Sequence, residues 1–145
     1  MVVKWIPLAR GLALSILMIA GPGQAIDLTP APEGAELYFI SPSDGAVVKS
    51  PLRVAFGLKG MGVAPAGVQK EKTGHHHLLI NTGLPNLELP IPADEHHKHF
   101  GGGQTETVIE LPPGRHTLQL ILGNHLHVPH DPPVCSEKIT ITVEE

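Results

Sequence analysis

Pro112-Pro113-Gly114-Arg115-His116-Thr117-Leu118-Gln119-Leu120-Ile121-Leu122 decides the fold. The two prolines and Gly114 turn the chain, because proline fixes φ and glycine reaches positive φ without steric penalty. His116, Leu118, Leu120 and Leu122 then fall on one face. This period of two marks a β-strand with one buried side. His116 opens that strand at the corner. In related sandwiches an aromatic residue often stands there and hydrogen-bonds the backbone, so a structural role is expected for it.

The same alternation recurs outward from this stretch. Ile139, Ile141 and Val143 alternate with Thr140 and Thr142 in a closing strand. Upstream, Thr105 to Leu111, Thr73 to Asn81, Leu52 to Leu58 and Leu37 to Ile40 read as further strands. Ser41 to Gly45 is a turn in which Asp44 caps its own backbone and Gly45 takes positive φ. Frequent Pro and Gly exclude long helices. The expected fold is all-β: an antiparallel immunoglobulin-like β-sandwich of six to eight short strands with long His-bearing loops. Those loops are residues 60–72, 84–103 and 123–133, and long loops in small domains are usually functional or mobile.

The chain has 145 residues and divides in three. Lys4 and Arg10 form a positive region before a ten-residue apolar run, Gly11 to Ala20, and Gly23-Gln24-Ala25 supplies small residues for cleavage after Ala25. Residues 1–25 therefore read as a signal peptide, too short in its apolar run for a comfortable membrane span. Residues 26–35 read as a flexible Pro-rich leader and residues 36–145 as the sandwich domain. The expected location is periplasmic or secreted, with no membrane anchor after cleavage. The formal charge is −4 and no basic stripe exists, which excludes nucleic acid as a partner. No protein partner can be named. Cys135 is the one cysteine and cannot form an intramolecular disulfide. It reads as a small apolar residue before a strand.

Ten histidines carry the chemistry. Three pairs have His-x-His spacing: His75/His77, His97/His99 and His125/His127, with His130 following the last. On a strand, residues two apart face the same way at roughly 6.6 Å, so two imidazoles can converge on one ion. His76 then faces the other way with Leu78 and Ile80, and His96 is left as a loop residue without a role. The seven histidines of the three pairs and His130 are the candidate ligands. Asp94, Glu95 and Asp131 are candidate orienting carboxylates or extra oxygen ligands. Met61 is gap-filling core or, near the histidines, a thioether ligand that would favour reduced copper. An all-imidazole site suits zinc or cupric ion. A copper or zinc ion is thus the expected cofactor. The alternative for the histidines is a set of core and turn residues held by hydrogen bonds.

Five blocks of the chain are similar to one family. They are Gly60-Met61-Gly62-Val63-Ala64-Pro65-Ala66-Gly67, Gly74-His75-His76-His77-Leu78-Leu79-Ile80, His97-Lys98-His99-Phe100-Gly101-Gly102-Gly103-Gln104-Thr105-Glu106, Gly114-Arg115-His116-Thr117-Leu118-Gln119-Leu120 and His125-Leu126-His127-Val128-Pro129-His130. In these the chain resembles the exported bacterial proteins of domain-of-unknown-function family 4399. The resemblance adds Gln104, Thr105 and Glu106 as site candidates, since they follow the His loop in the motif. Cys135 departs from the family, where an aliphatic residue or Met is expected.

Three functions follow. The first is periplasmic metal binding for copper or zinc storage, delivery or resistance, lost as histidines protonate near their ordinary pKa of about 6.5. The second is a metal-dependent envelope enzyme, for which Glu95 or Glu106 would be the base. Likeness to copper/zinc superoxide dismutase is compositional only, and no Ser/His/Asp elbow or phosphate loop is present. The balance leans away from an enzyme. The third is a non-catalytic, pH-responsive envelope interaction module.

Overall fold

Alternating residues become strands wherever alternation runs for four residues or more. The computed structural model describes residues 28–145, so the signal-peptide reading of residues 1–25 lies outside the described residues. The strands are β1 (Glu36–Ser41), β2 (Val47–Val48), β3 (Leu52–Lys59), β4 (Gly62–Val63), β5 (Thr73–Ile80), β6 (His97–His99), β7 (Glu106–Ile109), β8 (Gly114–Gly123) and β9 (Ile139–Val143). No helix occurs among the described residues.

Two sheets result. One has the order β1-β3-β7 and is antiparallel throughout. The other has the order β2-β9-β8-β5-β4, with β6 also paired to β5. The β2–β9 and β4–β5 pairings are parallel. The wholly antiparallel sandwich of six to eight strands is thus corrected to nine strands of mixed direction among the described residues. The physical reason is length: two or three residues carry too little alternation to read, so β2, β4 and β6 are invisible as periodic strands, and His97 and His99, expected in a loop, stand on β6.

The two sheets share one core. Leu52, Val54 and Phe56 of β3 meet Leu78 and Ile80 of β5, Leu118, Leu120 and Leu122 of β8, and Ile139 and Ile141 of β9. Each such side chain contributes roughly 1.5–3 kcal/mol by leaving water. Met61 packs against this core, as its gap-filling reading expects. His76 faces inward as expected, fully buried, its ring 5.1 Å from that of Phe56.

Three connections position the rest. His116 is the corner residue: its Nε2 donates to Pro112 O at 2.8 Å, and Asn81 Nδ2 donates to its Nδ1 at 2.8 Å. Asn81 Oδ1 also accepts from Thr117 N, so one amide closes the corner between β5 and β8. Gly45 has φ +76°, but Asp44 Oδ1 accepts from Thr140 N at 2.8 Å. That side chain ties the first turn to β9 instead of capping its own turn. In the leader, Asp131 N donates to Thr29 O and Ala31 N to Asp131 O, and Ala31 packs against the core. The described part of the leader thus lies against the loop at Asp131.

The outer face of the larger sheet is also covered. Leu79 and Ile121 are buried there beneath Ile91, with Leu87 and Cys135 packed alongside. This second small core lies on the face that also carries His75 and His77, because Leu79 follows them at spacings of two.

Candidate metal centre

Strand register brings the first two segments together. β5 and β6 run antiparallel with His77 opposite His99 and Leu79 opposite His97. Directly opposed residues point to the same side of a sheet. His75, His77 and His99 therefore share the outer face. Their ligand atoms lie within 4.8 Å of one another, with His75 and His77 buried and His99 exposed.

A turn brings the third segment. Asn124 is buried, and its Oδ1 accepts from Leu126 N at 2.8 Å and Val128 N at 3.0 Å. Its Nδ2 donates to Thr29 Oγ1. This turn holds His127 at φ +67°, a left-handed conformation uncommon for a side chain of this size. Ile91 N donates to His127 O at 2.9 Å, so the loop over the outer face fastens the turn from the other side. The His127 ring centroid stands 4.7 Å from that of His99, 5.0 Å from that of His75 and 6.1 Å from that of His77.

Two glycines make room for the rings. A Cβ on Gly123 would meet His77 Nε2 at 2.9 Å and the His127 Cα at 3.4 Å. One on Gly101 would lie 2.4 Å from His99 Cε1. The Gly101-Gly102-Gly103 run lets the backbone turn beside His99, but the space that Gly101 and Gly123 leave for rings and the bonds of Asn124 are tertiary features. The Gly-rich stretch beside His99 was the available signal for Gly101, and nothing local marked the other two.

The other expected ligands do different work. His97 Nδ1 donates to Asp94 Oδ1 at 2.7 Å, and Asp94 Oδ1 also accepts from His96 N and His97 N. These bonds, led by the one from the His97 ring, hold the Asp94 pKa below its ordinary value. His96 Nδ1 donates to Ile80 O, and Glu95 lies 3.6 Å from the same ring. His125 is half-buried, its carbonyl accepting from Gly67 N, and its ring is not stacked with the cluster. His130 is buried and its Nε2 donates to Thr73 O at 3.2 Å, tying its loop to the start of β5. Gln104 Oε1 accepts from Gly102 N, Glu106 pairs with Arg53, and the Asp131 main chain holds the leader. None of these acidic side chains joins the group of ligand atoms. Cys135 packs in the small outer core, where burial pushes its thiol pKa up to about 11. It stays protonated and is a poor ligand.

The residues fit a metal ion. His75 Nε2 and His77 Nε2 are 3.1 Å apart. With metal–nitrogen bonds of about 2.0–2.1 Å, that separation corresponds to an angle of roughly 100° at the ion. Their Nδ1 atoms are buried without a protein partner, and an ion held on the Nε2 atoms would leave them so. Burial, and then the neighbouring imidazoles, push the His75 pKa down to about 4 and that of His77 to about 2. Burial also lowers that of His99, with His127 second. The rings are thus neutral and able to coordinate at neutral pH.

Fold and site together define a class: an all-β domain of two sheets with an imidazole cluster on the outer face of the larger one. Residues 54–144 match the family described as Domain of unknown function (DUF4399), and the chain belongs to that family. No curated protein matches the chain, and no solved structure does.

Proposed function

We propose that the chain is an exported protein that binds copper or zinc on His75, His77 and His99, with His127 beside them. Its immunoglobulin-like scaffold would work in the periplasm or outside the cell, in metal storage, delivery or resistance. The observation that carries this reading is the grouping of three imidazoles, two of them buried, within 4.8 Å. The set contains only nitrogen ligands, which suits zinc or cupric ion. Cys135 is not among the grouped ligand atoms and Met61 packs against the inner core, so the reading carries no soft ligand that favours reduced copper. Lys4, Arg10 and the apolar run at residues 11–20 support export. A hydrolase finds less support, because Glu95 and Glu106, the acids considered as bases, face His96 and Arg53. The test is metal analysis of protein purified without a histidine tag. About one zinc or copper per chain is expected, and neither metal in protein given both would contradict the proposal.

A further inference from the structure

We infer that a metal ion at this cluster carries a small monoanion as an exchangeable ligand, so that the site takes up an ion and an anion together. This rests on the metal-binding reading above and adds a second ligand to it. Charge is the first ground. His75, His77 and His99 offer only neutral imidazole ligands, and no carboxylate or thiolate joins the group among the described residues. A divalent ion there keeps its whole charge in a wall where His75 and His77 are buried. Uncompensated charge away from water is strongly disfavoured, so an incoming anion is held by more than its bond to the metal.

Two of the acids that could have supplied the counter-charge are engaged. Asp94 receives three N–H donors from His96 and His97, and Glu106 is paired with Arg53. Coordination is the second ground. The grouped ligand atoms belong to three residues, and His127 is not one of them. Its ring stands farthest, at 6.1 Å, from that of His77. Three protein ligands leave a tetrahedral ion one position open. The exposed ring of His99 places that position on the water side of two buried ones. A small anion such as azide, a halide or hydroxide matches an open position bordered by four imidazoles.

Azide is the probe. Untagged protein from the full chain is loaded with cupric or cobaltous ion, the metal content is measured, and azide is titrated while the absorption spectrum is recorded. One saturable azide per metal, with a new charge-transfer band, is expected in both the wild type and His127→Ala. Bound metal whose spectrum ignores azide would overturn the inference while leaving metal binding intact. So would a wild type that is silent beside a responsive His127→Ala, since His127 would then fill the fourth position. Failure of both ions to bind would overturn both readings, and the metal content separates that result from the others.

Discussion

Gly101 and Gly123 show how much the centre depends on atoms that are missing. Each leaves space that an imidazole uses, and in each the closest atom to an added Cβ belongs to a ring of the cluster. Gly101→Ala is expected to displace the exposed His99 ring at a stability cost of about 1 kcal/mol or less, while weakening metal binding about tenfold or more. Calorimetric metal titration beside a urea melt checks both halves. His76 gives a residue-scale prediction of another kind. Burial pushes its pKa down to about 4, with the Gln104 main chain opposing. In the unfolded chain the ring titrates near 6.5, so the unfolded state takes up the proton first as pH falls. Stability from the neutral ring is whole above about pH 6.5 and is lost between there and about pH 4. Its share is about 3 kcal/mol. Urea melts of metal-free protein at pH 7.5 and pH 4 are expected to differ less for His76→Leu by that amount. The inward direction of His76 was legible from alternation with Leu78 and Ile80. The division of labour between His97 and His99 was not, because both face the same way and only the Asp94 side chain separates them.

At the scale of elements, register does what spacing alone could not. His-x-His on β5 was readable as a pair, but its meeting with β6 depends on His77 standing opposite His99, a relation no single strand contains. The turn at Asn124 is likewise tertiary in origin, since its amide is fixed by Thr29 of the leader. Asn124→Ala removes acceptors from two main-chain N–H groups, one of them in the buried Val128. It is expected to cost about 2–3 kcal/mol and to loosen His127, seen as faster amide exchange through residues 124–128. The His116 corner makes the contrast. It was legible from Pro-Pro-Gly and the following alternation, although its partner Asn81 was not. His116→Ala breaks bonds to Pro112 and Asn81, so a loss of about 2 kcal/mol is expected with unchanged metal affinity. A change in affinity as large as that of a ligand variant would show that the corner and the centre are coupled.

For the whole molecule, alternation identified an all-β chain and most of its strands, while the two-residue parallel strands and the second core under Ile91 escaped it. Those unseen parts matter to function. The covered outer face buries His75 and His77 and so changes when they titrate. Ligands with the ordinary pKa near 6.5 would be mostly protonated at pH 5.5 and each would lose about tenfold in affinity. The His75 and His77 values of about 4 and 2 put their protonation well below that pH. Binding through them is accordingly expected to persist in mild acid, in place of the loss near pH 6.5 that unperturbed histidines would give. The most direct test is a calorimetric titration of zinc and copper into untagged protein at pH 7.0 and 5.5, with His77→Ala, His99→Ala and His125→Ala alongside. The account predicts one tight site in the wild type, retained at pH 5.5 and in His125→Ala, and weakened about a hundredfold or more in His77→Ala and His99→Ala. No binding by the wild type, or undiminished binding by His77→Ala, would contradict it.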